Sequence, residues 1–266
     1  MQIAIRHKLS LALGQGIARS VQHVLLTPLT GPTQTVREWS IDMPGIGKAA
    51  SFIDAFGNRA HLVSQTRPEG ELTISVAGIV DTIDRNGVVG RVPGDIPPAL
   101  YRRPTPLTKA AGSITSRFRS APKTGQDRIA LLHGLMARVA EVVGGGEQTQ
   151  AQDGQSQTQA QAAKPPAADY AHAFIGAARA LDIPARYVTG YLYAEDEEEP
   201  AALHAWAEAW DGGLGWIGFD PLLLLCPTDR HVRVAVGLDA VATMPVRSIP
   251  VVGEPQVLAM SVEAAQ

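Results

Sequence analysis

Five prolines within fourteen residues, at positions 93, 97, 98, 104 and 106, divide this chain into two stretches that cannot share one continuous helix or strand. Each proline fixes its own φ, lacks a backbone donor and pushes the residue before it toward extended backbone, so Pro93 to Pro106 reads as an extended connector. The stretch before it has a β pattern. Leu72-Thr73-Ile74-Ser75-Val76 alternates with period two, and β-formers dominate Val36 to Ile41. Thr30-Gly31-Pro32, Pro44-Gly45, Phe56-Gly57-Asn58, Pro68-Glu69-Gly70 and Arg85-Asn86-Gly87 punctuate these runs as turns. Residues 1–105 are therefore expected to form a small antiparallel β-sandwich or barrel.

Beyond the connector the period changes. Ile129, Leu132, Met136, Val139 and Val143 fall three and four apart, giving one apolar helix face that Gly144-Gly145-Gly146 ends. A second helix is expected from about Asp169 to Leu181, with Ala171, Phe174, Ile175, Ala178 and Leu181 inward and Asp182 and Pro184 closing it. Strand-like runs follow at 185–193, 203–210, 216–220 and 232–236, so residues 106–240 form an α+β core and 241–266 add a last edge strand or tail. Within this core 144–168 is odd: seven of the fourteen residues from Gln148 to Gln161 are Gln. Too few are apolar to add to a core, and the segment reads as mobile. The five adjacent acids Glu195 to Glu199 repel one another and read as a solvated hairpin loop rather than an ion site.

Composition excludes several functions. The net charge is −3, from 23 basic and 26 acidic residues, which rules out broad electrostatic capture of nucleic acid. No run approaches the ~20 apolar residues that span a bilayer; the densest, Leu222 to Leu225, soon meets Pro227. No secretory signal is evident, and the expected setting is soluble, reduced and cytoplasmic, with no membrane partner. The single cysteine cannot form an internal disulfide or a multi-cysteine zinc site. No cofactor or metal is expected.

Two short segments carry chemistry. His204-Ala205-Trp206-Ala207-Glu208 reads as one strand, and Gly215-Trp216-Ile217-Gly218-Phe219-Asp220-Pro221 as the next. Each alone has a plain structural explanation, with Trp206 and Trp216 as core aromatics and Asp220-Pro221 as a strand end. Together they can place an imidazole beside a carboxylate that fixes its tautomer and supports its cation. The missing partner is a nucleophile, for which a helix N-terminus is a favourable place because its free amides and dipole stabilise a thiolate.

These segments, with Ile183-Pro184-Ala185-Arg186-Tyr187-Val188-Thr189-Gly190-Tyr191-Leu192, resemble the bacterial transglutaminase-like superfamily, in its cysteine-protease-like branch with an N-terminal β-domain. Asp54-Ala55-Phe56-Gly57-Asn58 resembles that N-terminal domain, and His231 to Gly237 the terminal strand of the family core. The resemblance implies a β-sandwich-like domain followed by a papain-like core with a C-terminal edge strand, and a Cys-His-Asp triad. His204 and Asp220 then stand at the catalytic His and Asp positions.

At the nucleophile the sequence departs from the family. The family's Cys-Gln-Asp at the helix start matches Ala167-Ala168-Asp169, with Ala171 and His172 keeping the register. An alanine methyl cannot attack a carbonyl or carry an acyl group. The Gly-rich approach has become Lys164-Pro165-Pro166, and the Asn-Gly that often follows the Asp-Pro pair has become Leu222-Leu223. Cys226 is the alternative nucleophile, yet its apolar neighbours and Pro227 suit a buried thiol better than a thiolate. Ser156 lies in the Gln-rich tract, His133 reads as a structural or solvent-facing residue of the helical region and His172 as a local contact of Asp169; His172 and His204 without a third ligand make a poor metal site. The expected function is that of a non-catalytic family member that binds a peptide or protein, with Ala168, Asp169, Trp206 and Trp216 as cleft candidates. The alternative is an amidase or cysteine protease that uses Cys226 or a water activated by His204 and Asp220. The resemblance also suggests an ATP-grasp-like partner, and a homo-oligomer is a further expectation.

Overall fold

Alternation over Ile3-Ala4-Ile5-Arg6-His7-Lys8-Leu9-Ser10-Leu11 makes β1 (Gln2–Ala12) a strand with one face packed inward, and Ile3, Ile5, Leu9 and Leu11 are all buried. A computed structural model of the chain describes residues 1–14, 16–68, 70–92, 94–120, 125–145, 165–195, 202–250 and 253–265. Ser156, most of the acidic tract and the whole Gln-rich tract lie outside the described residues.

The following strands are β2 (Arg19–Thr27), β3 (Gln34–Asp42), β4 (Ala50–Ile53), β5 (Arg59–Thr66) and β6 (Glu71–Thr82). With β12 (Val246–Ile249) and β13 (Gln256–Ala264) they build two four-stranded sheets, ordered β13-β1-β6-β3 and β12-β2-β5-β4. Their facing sides share a core of Leu9, Leu11, Val24, Val63, Ile74 and Val246. The expected sandwich-like domain is present. The C-terminal stretch supplies two edge strands, and both join the N-terminal sheets.

The second layer is a five-stranded sheet ordered β11-β8-β9-β10-β7, from β7 (Val88–Gly90), β8 (Ala185–Leu192), β9 (His204–Asp211), β10 (Gly215–Phe219) and β11 (His231–Gly237). A domain boundary at 105 does not describe this arrangement, because β7 pairs with β10 inside the core sheet. Nor does the proline-rich segment simply run extended. Residues Pro98–Arg102 form a 3-10 turn that buries Tyr101 edge-on against Trp216, with ring centroids 5.1 Å apart.

Among the described residues, three helices accompany this sheet: α1 (Gly112–Thr115), α2 (Gly125–Gly144) and α3 (Ala167–Ala180). The small alternating residues Ala205, Ala207 and Ala209 of β9 let α3 lie close on the sheet, where Phe174, Ile175 and Ala178 fill the shared core. Gly176 is needed at this packing, since a Cβ there would stand 2.7 Å from the Thr108 carbonyl oxygen. Arg179, in the last turn, is buried and donates to the carbonyls of Tyr101, Ala185 and Leu238. The core sheet and the N-terminal sheets meet through Ile3, Ile5 and Val80 against Tyr191, Val232 and Val234. Among the described residues no helix is long and apolar enough to cross a membrane.

Candidate active site

The hairpin of β9 and β10 sets the first pair. Its ladder places Phe219 opposite Ala207 and Gly218 opposite Glu208, so Asp220, one residue beyond, lies diagonal to His204 on the same side. His204 Nε2 is 2.5 Å from Asp220 Oδ2. Asp220 is fully buried, and its other oxygen accepts the amides of Leu222 at 3.1 Å and Leu223 at 3.2 Å.

A fourth donor completes the carboxylate. His231 Nε2 lies 3.3 Å from the same Asp220 Oδ2, while its Nδ1 accepts the Thr228 amide at 3.2 Å. That amide can only donate, so the His231 proton sits on Nε2 and points at the carboxylate. Burial by itself would raise the Asp220 pKa, but the bonds from His204 and His231 outweigh it and bring it down to about 2. Burial lowers the His231 pKa despite the neighbouring carboxylate, which suits a neutral ring. His204 in turn donates a hydrogen bond from Nε2–H to the Asp220 carboxylate, leaving Nδ1 as the basic nitrogen. Nδ1 has no protein partner among the described residues.

His204, Asp220 and His231 offer ligand atoms within 4.8 Å of one another, close enough to consider a metal ion. The proton arrangement opposes it. An imidazole that binds metal through Nε2 carries its proton on Nδ1 and needs an acceptor there, whereas His231 Nδ1 faces the Thr228 N–H. The donors present suit a hydrogen-bonded cluster better than a cation.

His204 lines a cleft of about 640 Å³ together with Ala167 and Ala168, the first residues of α3. Pro166 precedes the helix without any side-chain cap, so the first turn opens toward this cleft on small apolar residues. Leu203, Leu222 and Leu223 add apolar walls, and Tyr187 and Tyr191 contribute from β8. The cleft thus has one basic nitrogen, a supporting carboxylate behind it and no thiol.

Other expected residues fall elsewhere. Asp169 is exposed in the first turn of α3 and does not line the cleft, because helical rotation carries it away from Ala167 and Ala168. Trp206 is buried beneath His204, with ring centroids 6.1 Å apart, and supports the site without lining the cleft. Trp216 is fully buried in a different cluster, where its Nε1 donates to Asp95 at 2.8 Å and the Arg186 guanidinium lies 3.9 Å over its ring. Neither tryptophan lines the cleft: Trp206 shares the strand face of His204 but is covered by it, and Trp216 is enclosed in the cluster with Tyr101.

Cys226 is half-buried in the connection after the Asp220–Leu225 bridge, packed against the helix core and Gly87, and it is not part of the His204–Asp220 cluster. Burial raises its pKa, which opposes nucleophilic use. His172 stacks on Tyr187 with centroids 4.9 Å apart and accepts the Ala240 amide, so its contacts extend beyond the local helical turn. His133 is exposed on α2, edge-on to Phe219.

Sequence reasoning missed His231 as a site residue. It stands at the head of β11, on the far edge of the sheet from β10, and only the curl of the sheet returns it to Asp220. The available signal was its place at the end of the connection that Asp220 begins.

Comparison with known proteins agrees with this fold. Residues 118–221 match the transglutaminase-like superfamily core, and residues 3–81 match the bacterial transglutaminase-like N-terminal region. The uncharacterized protein ML0607 of Mycobacterium leprae is 23% identical over 250 residues, covering 86% of each chain. A crystal structure described as a "Putative Cysteine Protease" from Cytophaga hutchinsonii aligns over 100% of this chain and 90% of its own, with 21% identity and a TM-score of 0.68. At that identity the likeness is one of fold.

Proposed function

We propose that this chain, which belongs to the transglutaminase-like superfamily and carries its bacterial N-terminal region, binds a peptide or protein segment in the cleft without forming an acyl-enzyme. The observation that carries this reading is the methyl group of Ala167 at the start of α3, in the cleft that His204 lines. A helix-start thiol would be activated there by the helix amides and the imidazole; a methyl group has no electrons to donate. Cys226 does not replace it, being half-buried, with its thiol pKa raised by burial, and outside the cluster. The apolar walls suit retention of an uncharged ligand.

The test is to incubate the protein with glutamine-donor and amine-acceptor peptides, simple amides and esters, and thiol-directed probes, beside the His204→Ala variant. The expected result is peptide binding with product formation equal to buffer in both proteins. Turnover that requires His204 overturns the reading.

One observation favours a second reading. His204 Nδ1 carries a lone pair without a protein partner among the described residues, while its Nε2–H donates to the Asp220 carboxylate. That is the arrangement of a general base for water. Water would give a proton to Nδ1 as its oxygen adds to a carbonyl carbon, and the imidazolium would return that proton to the leaving amine as the C–N bond breaks. Slow hydrolysis that vanishes in His204→Ala and persists in Cys226→Ser is the outcome that selects it.

A further inference from the structure

One wall of the cleft is formed by four consecutive residues of β13, Met260 to Glu263. Successive side chains of a strand point to opposite faces, so four in a row along one cleft mean that the edge of the strand, rather than a face, borders it. Among the described residues β13 is the outermost strand of its sheet and pairs only with β1.

The ladder identifies which backbone groups are free. Ala265 N–H donates to the Gln2 carbonyl, and Ile3 lies opposite Ala264 in an unbroken antiparallel register as far as Lys8 and Ala259. In such a pair the direction of the amides alternates along the strand. Glu263 and Ser261 therefore turn their N–H and C=O groups toward β1, while Ala264, Val262 and Met260 turn theirs outward. Among the described residues no group hydrogen-bonds to these outward amides and carbonyls. Natural edges are commonly blunted by proline, bulges or rows of charge. Here 260–264 has no proline, its register is regular, and Glu263 is its one charge.

The same cleft is also lined by Ala167, Ala168, Leu223 and His204. An extended chain lying in it along this edge would satisfy the free backbone groups of β13 and send alternate side chains toward the apolar lining. We propose that the cleft's ligand is an extended polypeptide segment with uncharged side chains, added as a new strand to the outer edge of β13. This rests on the peptide-binding reading of the cleft and specifies how the peptide is held.

The probe is a synthetic library of blocked ten-residue peptides, random in uncharged residues, passed over the immobilised full chain. Retained members are resynthesised with N-methyl groups on either the odd or the even amides. A strand faces its neighbour through alternate residues, so methylation in one register is expected to weaken binding about tenfold or more while the other is tolerated. Amide exchange at Met260, Val262 and Ala264 should be fast in the free chain and slow about tenfold or more on binding. Val262→Pro removes one outward donor and no bond to β1, which an edge strand tolerates, and should weaken binding in the same way. The peptide series remains decisive if that variant fails to fold.

Binding that shifts the His204 ring signals yet ignores both N-methyl registers overturns strand addition and leaves peptide binding intact. Slow exchange of the Val262 amide in the free chain means the edge is already paired, and also overturns it. A library from which nothing is retained, with His204 unshifted, overturns the peptide-binding reading and this inference with it.

Discussion

His231 Nε2 lies 3.3 Å from Asp220 Oδ2, the same oxygen that His204 engages at 2.5 Å. The carboxylate behind His204 is thus shared between two imidazoles, and two backbone amides occupy its other oxygen. A carboxylate with four donors is fixed in place and in charge.

Removing one of those donors should be felt. His231→Leu leaves Asp220 buried with fewer bonds and should cost about 1–3 kcal/mol of stability, with the Asp220 titration moving upward from about 2. His231→Gln, which keeps an N–H donor, should recover part of both. Urea unfolding and carboxyl carbon NMR read the two effects; an unmoved Asp220 titration would contradict the assigned bond.

Acid should unfold the protein in two steps. His7 is buried, its Nδ1 is 3.1 Å from the Tyr191 hydroxyl, and burial lowers its pKa from 6.5 to about 4. The unfolded chain takes up this proton first, so the contribution of His7, about 3 kcal/mol, is present above pH 6.5 and lost as pH falls toward 4. Asp220 has the same sign at lower pH: its contribution is present above 3.8 and lost as pH falls through about 2. His7→Leu should flatten the first step and spare the second in a series of urea titrations across pH.

Beneath the site Glu208 is fully buried between Arg186, at 2.6 Å, and Arg233, at 3.0 Å. Glu208→Gln leaves two guanidinium groups with Asp95 as their remaining carboxylate and should cost about 3–5 kcal/mol. Chemical denaturation checks this, and a loss below 1 kcal/mol would show that water enters the cluster.

Restoring a thiol should restore reactivity before it restores catalysis. In Ala167→Cys the new side chain sits in the first turn of α3, where the dipole favours thiolate, and iodoacetamide should label it about tenfold faster than Cys226 at pH 7. Acyl transfer should stay near background because Pro165 and Pro166 lack the N–H groups that could hold an oxyanion. Adding Pro166→Gly should raise the rate by about 10²-fold if a backbone donor is the missing part. Product kinetics on an ester decide between this and a site limited only by its nucleophile.

Much of the molecule is legible along the chain. Period two and period 3.6 report which face of each strand or helix meets the core, because burial acts on every turn or pleat alike. The helix from Ala167 and the strands bearing His204 and Asp220 follow from that, and the two side chains meet because adjacent antiparallel strands make near neighbours of them. The absence of a cysteine at 167 is likewise a property of sequence alone.

Tertiary structure decided the rest, wherever a contact joins elements that no local pattern relates. β7 enters the core sheet although it follows the N-terminal strands, and β12 and β13 return to the N-terminal sheets from the other end of the chain. His231 reaches Asp220 only because the sheet curls, and the free edge of β13 borders the cleft only because that strand pairs with β1 across the whole length of the sequence. Alternation tells a side chain which way to face; it carries no record of the strand that will lie beside it, which is set by how the buried faces of distant segments fit together.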